Sequence, residues 1–247
     1  MERLSGGAHL GVFAPVQNQA RVGAVARRLG DAIELGLLAD GEQLPGEADL
    51  AARLGVSTVT LRGALVALRE QGLLETRRGR GGGSFVTAPS GPPAERLRTR
   101  LAEYGVEELR DLGDHHAAVS GAASLLAACR TDEDGLARLR RLEEEFAAAA
   151  GDAAALARAD RRLHVEVAAA AQSPRLTREE IRFQTESGAL LCLALSEDDL
   201  AGAAVRQHRS LLAAVEAGDG QGARALAEEH VRAAVDRLVD LRLHLPD

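Results

Sequence analysis

The chain has 247 residues, 46% hydrophobic and 2% aromatic, with 30 basic against 37 acidic side chains and a net charge of -7. That composition describes a folding chain large enough for two domains, and excludes both a disordered tail and a protein whose whole surface coats nucleic acid. No apolar run approaches the roughly 20 residues that span a bilayer, and no basic flank precedes an apolar run and cleavage site, so a cytoplasmic protein without a membrane partner is expected.

Charge is distributed unevenly. Residues 1 to 92 carry ten arginines and nine acids, the remainder 20 arginines and 28 acids, and there is no lysine. Every cationic contact is therefore made by a planar guanidinium able to bond phosphate or guanine in bidentate fashion. Cys129 and Cys192 lie far apart with no CxxC partner, so they read as small buried hydrophobes rather than a disulfide or a thiolate zinc knot.

Residues 1–19 read as an N-terminal extension. Ala20 to Leu38 then predicts a helix with Val22, Val25, Leu29 and Ile33 on one face, broken at Asp40-Gly41 and followed by an extended Leu44-Pro45. Glu47 to Leu54 predicts a short helix stopped by Gly55. Ser57 is placed to cap a third, whose Leu61, Leu65 and Leu68 repeat at helical spacing until Gly72. The period then changes. Leu73–Arg78 and Ser84–Thr87 flank the turn Gly79–Gly83, a hairpin signal. Three helices and a two-stranded wing make residues 20–88 a winged helix-turn-helix.

Pro89, Pro92 and Pro93 forbid a continuous helix or central strand, which places a linker at 89–94. Residues 95–247 read as an all-helical bundle, with helices over 95–104, 107–128, 132–149, 153–171, 174–195, 199–217 and 221–244. Thr131 or Asp132, Asp152, Ser173-Pro174 and Gly218-Asp219-Gly220 supply caps and breaks. Long helices joined by short loops are antiparallel neighbours, and a bundle interior is where side chains from several helices converge on a ligand. The fold class is mainly α.

The runs Leu44-Pro45-Gly46-Glu47, Leu50–Ser57, Leu61–Leu65, Gly72–Glu75 and Arg77–Gly81 resemble the DNA-binding domain of GntR-type bacterial transcription regulators, and the helical half resembles the FCD effector domain of the FadR subgroup. The resemblance covers about residues 20 to 243. It implies a homodimer that binds double-stranded operator DNA, more often as a repressor, and responds to a small effector. On that pattern Arg53, Ser57, Thr58, Thr60 and Arg62 approach the operator from the helix-turn-helix, and Arg77, Arg78, Arg80, Gly81 and Gly82 approach from the wing. The sequence departs from the family at Ala48 and Thr58, where arginines are usual, and at Gly46, where a capping serine is usual; of that arginine set Arg62 remains.

Among seven histidines, three combine with one aspartate in a spacing that invites metal chemistry. Asp160 and His164 lie four apart, on one helix face. His208 and His230 each lie 11 residues from Asp219, so a hairpin centred there sets them at one height on antiparallel helices. Three imidazoles and a carboxylate suit zinc, then nickel or manganese, with open positions for a ligand. Many FCD domains carry such a set. In the first long helix, His116 stands where the family usually has an effector-binding arginine and Ser120 where an acid is common; His116, Gln184 and Ser187 are the candidate effector residues, and His116 fits an exposed position equally well. An imidazole there implies an effector less anionic than the usual organic acids. No paired general acid and base and no nucleophile motif accompany the cluster, so the leading reading is a regulator and not an enzyme. The alternatives are a metal-dependent enzyme with a vestigial DNA-binding domain and a DNA-binding protein with a purely structural metal.

Overall fold

The computed structural model describes residues 16–88, 94–149, 151–195 and 198–245. Most of the expected extension and all of the proline-rich stretch at 89–93 lie outside the described residues. Contacts divide the chain into two compact units, one ending at Pro89 and one beginning at Ser90.

The first unit comprises α1 (Val16–Glu34), α2 (Glu47–Leu54), α3 (Thr58–Glu70), β1 (Leu74–Arg77) and β2 (Gly83–Val86). The apolar face of α1 packs on α3, so Val25, Leu29, Ile33, Leu61, Leu65 and Leu68 form a core closed by Leu44, Leu74 and Val86. Gly55 ends α2 in the left-handed conformation, and Ser57 caps α3 by accepting from the Thr60 amide at 3.1 Å. The strands pair antiparallel with Leu74 opposite Val86 and Arg77 opposite Gly83. The first helix ends earlier than its periodicity predicts, because Gly36 turns the chain with φ 70° and sets Leu35 in the interior.

The second unit is helical throughout its described residues: α4 (Ala94–Ala102), α5 (Val106–Arg130), α6 (Glu133–Ala148), α7 (Ala153–Ala170), α8 (Pro174–Glu186), α9 (Gly188–Ala194), α10 (Asp198–Glu216) and α11 (Gly220–Leu243). Asp132, Asp152 and Asp219 cap α6, α7 and α11 through side-chain oxygens. Ser173, expected as a cap, makes no side-chain cap bond; its carbonyl is taken by the amide and hydroxyl of Thr177 instead. The segment expected as one helix over 174–195 is two, interrupted at Ser187 where the Arg161 stem lies against Gly188. The helices α5 and α11 pack closely, and glycine makes this possible: a Cβ at Gly113 would lie 2.8 Å from the Val235 methyls. Around them Ala127, Leu139, Leu142, Leu163, Val167, Leu211 and Val215 form the main core. Cys129, expected inside, is exposed because it falls in the last turn of α5. Among the described residues no single helix is long and apolar enough to cross a membrane.

Candidate metal centre and nucleic-acid interface

The capped turn at Asp219 does what the spacing predicts and brings His208 of α10 and His230 of α11 together. Their Nε2 atoms are 3.3 Å apart. From α7, His164 sets its Nε2 3.2 Å from that of His230. Asp160, one turn earlier, places Oδ1 3.4 Å from His208 Nε2 and 3.7 Å from His164 Nε2. All four residues are buried, and their ligand atoms lie within 4.8 Å of one another.

The donor set fits a cation. A tetrahedral zinc with bonds of about 2.05 Å separates adjacent nitrogens by about 3.3 Å. His230 Nδ1 donates to Gln207 Oε1 at 2.9 Å, which leaves its Nε2 lone pair facing the cluster and fixes the ring as second-sphere partners do. Phe146 packs edge-on against His208 with centroids 4.6 Å apart. Burial pushes His164 and His230 down to about 4 and His208 well below its ordinary value. Neutral imidazoles are the form a metal requires. Burial raises Asp160 to about 6, against the pull of His230 and Arg161, so near neutral pH its carboxylate is available as the anionic ligand.

Next to this cluster His116 is buried, not exposed, and its Nε2 lies 3.0 Å from Glu180 Oε1. Gln184 Nε2 donates to the same oxygen at 2.8 Å. Burial opposes charge on both His116 and Glu180, yet each one's charge and their hydrogen bond outweigh it, raising the histidine and lowering the acid. The Ser187 hydroxyl donates to the Phe183 carbonyl at 2.9 Å. Ser120 is buried in α5. Glu180 and Gln207 escaped the sequence reading; the one local signal for Glu180 is its i, i+4 spacing from Gln184.

The winged unit presents a different chemistry. Arg62 is exposed on α3 and ion-paired with Glu47 at 2.6 Å, and Arg53 is paired with Asp49 at 2.8 Å. Thr58 and Ser57 are exposed, although the Ser57 oxygen serves the cap. Thr60 is buried at 3% exposure, with its hydroxyl 2.8 Å from that of Ser57, so it shapes the start of α3 from within. Val59 between them is 67% exposed, and sequence reasoning passed over it because an apolar residue reads as core. On the wing Arg77 pairs with Glu75 at 2.6 Å and lies over the Phe85 ring at 4.2 Å. Arg78 and Arg80 are exposed without an ion pair among the described residues. Gly81 has φ 86°, and a Cβ on Gly82 would lie 2.5 Å from the Arg77 carbonyl oxygen. The turn itself therefore demands these glycines, whatever approaches them.

Two family models match the chain: bacterial regulatory proteins of the gntR family over residues 21–83 and the FCD domain over residues 111–233. A Mycobacterium gastri protein named HTH-type transcriptional regulator RmpR is 39% identical over 236 residues, covering 95% of this chain and 86% of its own length. The HTH-type transcriptional regulator SmoD of Agrobacterium fabrum is 40% identical over 84 residues, 34% of this chain and 33% of its own. Among solved structures, Escherichia coli McbR/YncC shares the fold with a TM-score of 0.53 at 21% identity, covering 89% of this chain and 97% of that one.

Proposed function

Because the chain belongs to the GntR family of bacterial regulatory proteins and carries an FCD domain, and is thus a DNA-binding transcription regulator, we propose that it is a homodimeric repressor whose helical unit holds a divalent cation and a small effector. The observation that carries this reading is the convergence of Asp160, His164, His208 and His230, with nitrogen spacings of 3.2 and 3.3 Å. A carboxylate and three buried imidazole nitrogens that face one another at these spacings form a donor set that a divalent cation satisfies together. Zinc suits the spacing best, with nickel and manganese next. When bound, the cation supplies a Lewis-acidic anchor for an effector oxygen at its open positions. Gln207 orients His230, and Phe146 holds the His208 ring.

In the DNA-binding unit, Arg62 and Thr58 read the major groove from the first turns of α3, with Arg53 beside them. Arg78 and Arg80 follow the backbone from the wing, where Gly81 and Gly82 keep the turn tight. The experiment is elemental analysis of purified protein together with binding to a duplex selected from random DNA. About one equivalent of metal per chain is expected, and His208→Ala should lower it while leaving binding without added small molecules largely intact. No metal after refolding with zinc, nickel and manganese in turn, together with a His208→Ala variant as thermostable as the parent, would reduce the cluster to coincidence.

A further inference from the structure

Beside the four-residue cluster lies a buried network that a cation does not use. Glu180, 1% exposed, takes both of its hydrogen bonds on one oxygen: Oε1 faces His116 Nε2 at 3.0 Å and Gln184 Nε2 at 2.8 Å. Among the described residues its other oxygen, Oε2, is buried with no partner, and so is Oε1 of Gln184. The network adjoins the cluster. The His116 ring centroid is 6.4 Å from that of His164, and the charge of Glu180 acts on Asp160, His164 and His230. Phe183 stacks on His116 with ring centroids 4.7 Å apart, an apolar neighbour to the network.

Two buried acceptors without donors are an exception to the rule that interior polar atoms are bonded. A molecule that completes them must bring protons. A molecule that also reaches the cation must bring a lone pair. A carboxylate has lone pairs but no proton to donate; the acid of a polyol still donates through its hydroxyls, so what sets it apart is a second negative charge beside Glu180. An ammonium has protons but no lone pair, and the cation repels it. A hydroxyl group has both, and two acceptors call for more than one. We propose that Glu180 and Gln184 select a neutral polyhydroxy effector, a polyol or sugar, over the carboxylate of the same carbon skeleton. This rests on the metal reading above for the anchoring oxygen, whereas the need for hydroxyl donors rests on the two unpartnered acceptors and the preference against the acid on the charge of Glu180.

The test uses the full-length protein equilibrated with zinc and titrated calorimetrically with matched pairs: glycerol and glycerate, xylitol and xylonate, sorbitol and gluconate. In at least one pair the polyol should bind tenfold or more tightly than its acid. Glu180→Gln leaves an oxygen to accept from His116 and Gln184 but turns the unpartnered acceptor into a donor, so it should shift the polyol-to-acid ratio at least tenfold towards the acid. Gln184→Met, which removes an acceptor without adding a donor, should weaken the polyol without favouring the acid. An acid that binds as well as its polyol in every pair, binding of no member of the panel, or a ratio unmoved by Glu180→Gln would overturn the proposal. Zinc is measured on the same samples. A polyol preference without bound zinc supports the selectivity and overturns the metal reading, whereas bound zinc with an acid preference does the reverse.

Discussion

Removing the cation from the cluster should destabilise the helical unit by an amount that ligand linkage sets. Free zinc at a hundredfold excess over its dissociation constant stabilises the folded state by about 2.7 kcal/mol. In a unit of this size each kcal/mol moves the midpoint by about 2 to 4 °C, so chelation at pH 7 should lower it by roughly 5 to 11 °C. Acidification then has a definite sign. In the metal-free fold burial holds His164 and His230 down to about 4, below the ordinary 6.5, and His208 well below its ordinary value. Their contribution is full above about pH 6.5 and is lost as the pH falls towards 4. Asp160, raised to about 6, runs the other way, and its contribution fades as the pH rises from about 4 to 6. Three imidazoles against one carboxyl leave the unfolded chain up to about two protons richer, a slope of about 3 kcal/mol per pH unit at its steepest. The metal-free protein should therefore lose stability steadily from pH 6.5 to 5. Scanning calorimetry with and without chelator, followed by zinc back-titration, measures both effects. A midpoint indifferent to chelator and zinc at pH 7, or a stability that rises as the pH falls, would refute the reasoning.

Three further outcomes concern the DNA side. Arg62→Ala should abolish preference for a selected operator, whereas Arg80→Ala should weaken binding to all duplexes and reduce the salt slope by about one; fluorescence anisotropy at several salt concentrations separates them, and unchanged affinity in both would sink the proposed interface. Val59, 67% exposed at the start of α3, is placed to meet a thymine methyl, an apolar contact that carries base information. Replacing operator thymines one at a time by uracil should cost about 0.8 kcal/mol per half-site at one position, the value of a buried methylene, and nothing in Val59→Ser; insensitivity at every thymine removes Val59 from the readout. Sedimentation at micromolar concentration should give twice the 25.9 kDa chain mass, since two recognition helices on a two-fold axis match a palindromic site; a monomer counts against it.

The convergence of Asp160, His164, His208 and His230 was legible because it depends on two local regularities. The 3.6-residue period aligns Asp160 with His164, and a capped turn at Asp219 fixes the relative height of the helices that carry His208 and His230. The helix-turn-helix was legible for a similar reason, since Gly55, Ser57 and Gly72 punctuate it at fixed offsets. What escaped depends on tertiary neighbours. The break at Ser187 comes where the Arg161 stem of another helix lies against Gly188, while the local apolar period continues without interruption. The partner of buried Glu180 is His116, 64 residues away. Gln207 precedes a ligand in sequence and so leaves the helix in another direction, yet reaches His230 across the hairpin. Cys129 reads as a buried hydrophobe from its residue type and its lack of a partner cysteine, neither of which tells that it lies exposed in the last turn of α5.

The arginines of the proposed DNA interface divide into two groups with different consequences. Arg53, Arg62 and Arg77 are each held by a carboxylate of the same unit, at 2.8, 2.6 and 2.6 Å. Such exposed pairs contribute no more than about 1 kcal/mol apiece to the fold, so DNA can displace them. A phosphate that approaches nevertheless meets Asp49, Glu47 or Glu75 beside the guanidinium, which weakens contacts made without regard to sequence. Arg78 and Arg80 have no such partner among the described residues, and general attraction to the backbone falls to the wing. Arg62 then gains most where a guanine replaces Glu47 with a bidentate bond, worth about 1 to 3 kcal/mol of discrimination. With Ala48 and Thr58 standing where the resemblance expects arginine, the proposed interface should keep sequence preference while giving up non-specific affinity, which a shallow salt slope on random duplex would report.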